Sequence, residues 1–244
     1  MLIRSFRAEC IKLRRSFIWL ALAVLPLLSA VMGTFNYLNN LGILTQQWYS
    51  LWTQHSLFYC ALFAPALTGI YCAYVCRLEH LGRNWNSVMT MPVAPAHIFF
   101  AKLAIVSLLS ALTQLLIGAL FLLSGKLAGL TAPVPPELFL WLIRGWWALT
   151  VEAALLLCVA LVIRSFAIPV GLGILGGFCG IAAFAKGIGA YFPFSLLQLS
   201  MCTNKPDEPM QCAPQLFAAT STLFFLAACA FGVLWLKKRD VKTA

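Results

Sequence analysis

Long apolar stretches alternate with short polar ones along this chain. The apolar runs fall near 17–35, 57–76, 98–124, 139–163, 167–185 and 215–236, each close to the roughly 20 residues that a helix needs to cross the hydrocarbon core of a bilayer. The pattern predicts an all-α integral membrane protein with six transmembrane helices. Upstream of the first run, Leu2, Phe6, Cys10, Leu13 and Phe17 recur at helical spacing while Arg4, Arg7, Arg14 and Arg15 project to the other side. That periodicity predicts an N-terminal amphipathic helix, residues 1–16, lying in the membrane interface. Between the second and third runs, Leu78, Leu81, Trp85 and Val88/Met89 also recur at helical spacing. A short amphipathic helix is predicted there, ending before Pro92, which biases its predecessor away from helix.

The remaining intervals are short. Residues 36–56 carry no Lys, Arg, Asp or Glu but hold Trp48, Tyr49 and Trp52, residues that favour the headgroup level, so this interval is expected to lie on the membrane surface. The layout is thus an interfacial helix (1–16), a six-span domain (17–236) with a connecting segment at 77–97 and a longer loop at 186–214, and a basic tail (237–244). In the fifth run, Gly173/Gly177 and Gly176/Gly180 fit the small-xxx-small spacing that lets helix backbones approach closely. Contact with a second subunit and packing within one subunit explain that spacing equally well.

Composition agrees with the pattern. The 244 residues are 62% hydrophobic and 10% charged, against about 25% charged in soluble domains, and nothing in the layout leaves room for a nucleotide-hydrolysing domain. The net charge of +10 is not gathered into a stripe for nucleic acid; it clusters at the ends of apolar runs. With the N-terminus inside, Arg4, Arg7, Lys12, Arg14, Arg15, Arg77, Arg83, Lys102, Arg164, Lys237, Lys238, Arg239 and Lys242 fall on the cytoplasmic side, and Lys126, Arg144, Lys186 and Lys205 on the other. The positive-inside bias therefore predicts a multi-pass cell-membrane protein with both termini cytoplasmic. The first run has a long basic leader containing Glu9 and no clear small-x-small cleavage site, so it reads as a retained signal-anchor.

Candidate chemistry is sparse. Glu152 lies deep in the fourth run, where an ionisable residue is costly enough to be a functional candidate by default; it reads either as an acid facing a translocation path or as a carboxyl at a helix contact. Cys202 and Cys212, in the loop at 186–214, are candidates for a disulfide, which an oxidising exterior permits. Cys72, Cys76 and His80 stack on one helical face, but no fourth ligand accompanies them and core packing is the better reading. The motifs H-E-x-x-H, G-x-S-x-G and G-x-x-x-x-G-K-[ST] are all missing, so no catalytic site, metal or cofactor is expected in this chain.

Glu79, Gly82, Pro92 and Lys102 form an E-x2-G-x9-P-x9-K arrangement bridging the second and third runs. This resembles the coupling segment of type-two ABC exporter permeases, and the amphipathic leader, six spans and basic tail are similar to that family over nearly the whole chain. Within it, Glu79 followed by Arg83-Asn84-Trp85-Asn86, and Phe192-Pro193-Phe194-Ser195-Leu196-Leu197, look like the lantibiotic-immunity branch. The resemblance implies a cytoplasmic coupling helix beginning at Glu79, with Gly82, Arg83, Trp85 and Pro92, that receives motion from separate ABC ATPase subunits holding ATP and Mg. It also implies a second permease subunit, the same chain or a sister, and an amphipathic cationic peptide as substrate. A general drug, peptide or lipid exporter permease and a non-ABC channel or scaffold are the alternatives.

Overall fold

The computed structural model describes residues 2–80, 85 and 93–238, and all regular structure among them is helical. Helix α1, Leu2–Leu13, is followed by α2, Ile18–Asn39, whose first turn is started by the Ser16 hydroxyl accepting from the Ile18 amide at 3.0 Å. Helix α3, Trp48–Phe58, a π-helical turn at Tyr59–Phe63 and α4, Ala64–His80, run on as one column. Then come α5, Pro95–Leu127, α6, Leu138–Val162, and α7, Ala167–Ala185. Two short 3-10 turns and α8, Leu196–Ser200, lead to the last helix, α9, Pro214–Lys238.

Six of these columns are long and apolar enough to cross a membrane: α2, the α3–α4 column over Trp48–Arg77, α5, α6, α7 and α9. They are not equivalent. The α3–α4 column and α6 are 78% and 72% buried over their most apolar windows, against 28% for α2, α7 and α9, so the first two form the centre and the others face lipid. Exposed Leu20, Val31, Phe35, Leu175, Leu223 and Leu226 mark that outer surface.

The surface position expected for 36–56 is not what the fold adopts. Only 40–47 separates α2 from α3, and Trp48 and Trp52 are buried. Each indole N–H finds a backbone acceptor: Trp48 Nε1 donates to Ala132 O at 2.7 Å and Trp52 Nε1 to Met201 O at 2.8 Å. Trp52 also stacks on Trp141 with centroids 4.8 Å apart. A satisfied indole can enter the core, and no charged residue in this stretch opposes it. The loop at 186–214 likewise folds back, with Leu196, Leu197, Leu199 and Ser200 of α8 buried against the π-helical turn, α6 and α7.

The glycines of α7 are spent inside the chain. A Cβ at Gly177 would stand 2.2 Å from Ala61 O, one at Gly173 2.3 Å from Pro65 O, and Gly69 returns the approach toward Pro169 O at 2.6 Å. Gly176 and Gly180 receive Phe194. The π-helical turn has a cause in the sequence: Pro65 has no N–H to give Ala61 O, and its ring crowds that carbonyl, so the helix widens there. The α4–α7 contact is therefore backbone on backbone.

Candidate functional site

Helix α1 lies at one end of the bundle, its Arg4 and Arg7 exposed, as are Arg14 and Arg15 in the turn that follows, and its Glu9 and Leu13 buried against α5. Phe6 and Cys10 are half-buried on the core, whereas Leu2 and Phe17 stay exposed, so only the middle of the expected apolar stripe docks on protein. Glu9 meets three other charges there. Lys102, in the third turn of α5, is fully buried; its Nζ reaches Glu79 Oε1 at 2.9 Å, Glu9 Oε1 at 3.1 Å and Val75 O at 2.8 Å. An ammonium has three protons and no acceptor, and all three find oxygen. Lys12 closes the ring, with Glu9 Oε1 at 2.9 Å and Glu79 Oε1 also within bonding distance. Two cations and two anions thus form a neutral knot tying α1, the end of α4 and the start of α5.

Burial alone raises the Glu79 carboxyl, but Lys102 and Lys12 outweigh it and hold the group below its ordinary value of 4.5. The stabilisation from this ionised group is therefore present above pH 4.5 and is lost as pH falls through the lowered value. Glu79 does not begin a helix, as the sequence reading had it; it lies in the last turn of α4.

Trp85 is fully buried in the same core as Leu13, Tyr71, Val75, Phe99 and Leu103. Its ring lies 5.9 Å from Lys102 Nζ, within cation–π range. Its Nε1 donates to His80 Nδ1 at 3.1 Å, and His80 Nε2 meets Ala160 O at 3.1 Å. An acceptor at Nδ1 and a donor at Nε2 require the neutral imidazole. Burial lowers the His80 pKa below 6.5; the Ala160 bond opposes this, and the Arg164 and Lys102 charges reinforce it. Because the folded state binds this proton less readily than the unfolded chain, the contact's contribution is fully present above pH 6.5 and declines as pH falls below it. Thermal unfolding in detergent is expected to show a falling midpoint from about pH 7 to about pH 5, with a shallower slope in His80→Gln. An unchanged slope in that variant would remove His80 from the account.

The fold thus brings Glu79, Trp85 and Lys102 together and adds Glu9 and Lys12, which the sequence reading assigned only to the amphipathic leader. Two members of the cluster carried a signal: Glu9 is a lone acid among the basic residues of 1–16, and Lys102 is a lysine inside an apolar run. Gly82, Arg83 and Pro92 lie outside the described residues. Glu152 is elsewhere, fully buried on α6 near Tyr59 and Cys60 of the π-helical turn, and neither carboxyl oxygen has a hydrogen-bond partner among the described residues. Cys202 and Cys212 are both free thiols, Cys202 buried and Cys212 half-buried. Cys72 and Cys76 pack in the core, Cys72 donating to Ala153 O at 3.4 Å.

The sequence model of the ABC-2 family transporter proteins matches residues 5–180, from α1 through most of α7. The chain belongs to the ABC-2 transporter family. No curated protein matches it. As an ABC-2 permease it is a multi-pass membrane transport subunit rather than an ATPase, and the family implies an ABC ATPase partner. The matched region contains the whole knot and Trp85.

Proposed function

We propose that this permease is the membrane subunit of an exporter, that both its termini are cytoplasmic, and that the Glu9–Lys12–Glu79–Lys102 knot passes motion from the ATPase-facing segment 77–97 into the spans. The carrying observation is Lys102: one fully buried ammonium holds residues from α1, α4 and α5 at once, with Trp85 packed beside it. A force applied to the segment around Trp85 is delivered to three helices rather than one. Gly82, Arg83 and Pro92 would shape the surface that meets the ATPase, which holds the ATP and Mg. The basic leader and tail support the cytoplasmic placement.

The substrate reading is an amphipathic cationic peptide, as in lantibiotic self-protection, moved outward by a pair of permease subunits, the same chain or a sister. It draws on the resemblance around Glu79 and Phe192–Leu197 and on Glu152, a buried acid beside the π-helical turn, a geometry common at functional sites. Oxidation of the Cys202 and Cys212 thiols to a disulfide would brace the outer loop.

Affinity purification from the native membrane tests the subunit reading. An ABC ATPase is expected to accompany the wild-type permease. It should be lost when residues 86–91 are replaced by a Gly/Ser linker of equal length, with membrane insertion unchanged. Recovery of the ATPase with that variant at wild-type yield would contradict the assignment of the segment.

A further inference from the structure

A cavity of about 860 Å³ opens at the end of the bundle opposite the knot, between the 43–57 stretch, the end of α7 and the 198–211 stretch. That volume is toward the upper end of the range for ligand sites, about 300–1,000 Å³. We propose that it is a receptor pocket for a short stretch of basic, amphipathic peptide. The inference deepens the export reading above and rests on it for the substrate class.

Three features define the occupant. First, the polar lining includes side-chain amides, Gln46, Asn204 and Gln211 among them, while Gln54 is already paired with Asn36 and Thr53. Each amide offers both a donor and an acceptor, the complement of a peptide group. Second, the charge is one-sided. Asp207 is the lone charged side chain among the described lining residues of a chain whose net charge is +10. Gln46 Nε2 donates to its Oδ2 at 3.1 Å, which leaves most of the carboxylate's accepting capacity open to a Lys or Arg of the ligand. Nearby Lys205 is held by Glu208 at 2.7 Å, so its charge is offset. An anionic ligand would meet Asp207 with no cation in the wall to receive it. Third, apolar side chains share the lining, Leu57 of α3 and Ile181 and Phe184 of α7 among them. Amides, a carboxylate and apolar side chains in one cavity suit a peptide that carries both basic and apolar side chains.

The floor is a built feature. Gln198 is 2% exposed and its amide sits among the carbonyls of Cys60, Gly177 and Phe194. The pocket therefore rests on the π-helical turn and on the glycine contact between α4 and α7.

The probe is a synthetic Lys/Leu amphipathic helix carrying a diazirine, photolysed with the purified permease in phosphatidylcholine nanodiscs. Export of the same peptide by the permease–ATPase complex is measured in parallel. Cross-links are expected within 43–57 and 198–211, at least about tenfold weaker for a matched Glu/Leu peptide and for Asp207→Lys, where like charges face each other. Thr53→Trp, which fills the cavity, should reduce them as far. If the label lands elsewhere, or if both variants cross-link at wild-type yield, the pocket assignment falls even when export is intact. Specific cross-linking without export would leave the pocket standing and overturn the export reading. A peptide neither captured nor exported overturns both.

Discussion

Replacing Lys102 with Met is expected to lower the stability of the bundle by about 3–5 kcal/mol, because breaking a buried ion pair on one side leaves uncompensated charge. Lys102 is fully buried and serves Glu79, Glu9 and Val75 O. Methionine has similar bulk, so the loss is electrostatic: two buried carboxylates remain with Lys12 alone, and Val75 O loses its additional donor. Combining Lys102→Met with Glu79→Gln should recover roughly 1–3 kcal/mol, the size of coupling found between residues in one network. Lys102→Arg should not substitute well, since a planar guanidinium aims its donors differently from an ammonium. Thermal unfolding of the detergent-solubilised chain reads all three. An additive double variant would show that Glu79 and Lys102 do not act as a pair.

The second large effect is expected at Gly177. A Cβ there would lie 2.2 Å from Ala61 O, a backbone atom fixed by the π-helical turn and unable to rotate away. Gly177→Leu therefore forces α7 off α4, at the upper end of the roughly 1–3 kcal/mol typical of overpacking or beyond it. Gly171, on the same helix, has nothing within 4 Å of its would-be Cβ. Gly171→Ala should accordingly be neutral or slightly stabilising, since alanine exceeds glycine in helix propensity by about 1 kcal/mol. Expression and monodispersity of the two variants give the comparison. Equal behaviour would mean that the α4–α7 contact is not a close backbone contact.

Much of this architecture is written in local pattern, and the rest depends on what meets what. Six apolar runs mark six columns because crossing a bilayer is a requirement of length and hydropathy, which each segment carries by itself. Trp48 and Trp52 read as interfacial because tryptophan at a run's edge usually is; their acceptors, Ala132 O and Met201 O, are 84 and 149 residues away in the chain. The same holds for Glu79. Its spacing to Gly82, Pro92 and Lys102 singled it out, yet its place at the end of α4 and its bond to Lys12 of α1 depend on a helix packing that no short window contains. The glycines of α7 announced a close contact without naming the partner, which is the backbone at Ala61 and Pro65, more than 100 residues earlier in the chain. Glu9 and Lys12 were hidden because an i, i+3 pair in an amphipathic helix is ordinarily just a solvated pair.

The central claim is that the knot transmits motion rather than merely holding the bundle together. It is tested most directly in the reconstituted permease–ATPase complex carrying Glu79→Gln with Lys102→Met, the combination expected to keep much of the fold while removing the charged link. Export and ATP hydrolysis are measured together in proteoliposomes at a temperature where the variant remains folded. The account predicts that hydrolysis continues while export per ATP falls at least about tenfold, the consequence of losing about 1.4 kcal/mol or more of coupling. Export per ATP at the wild-type value in that variant would contradict it.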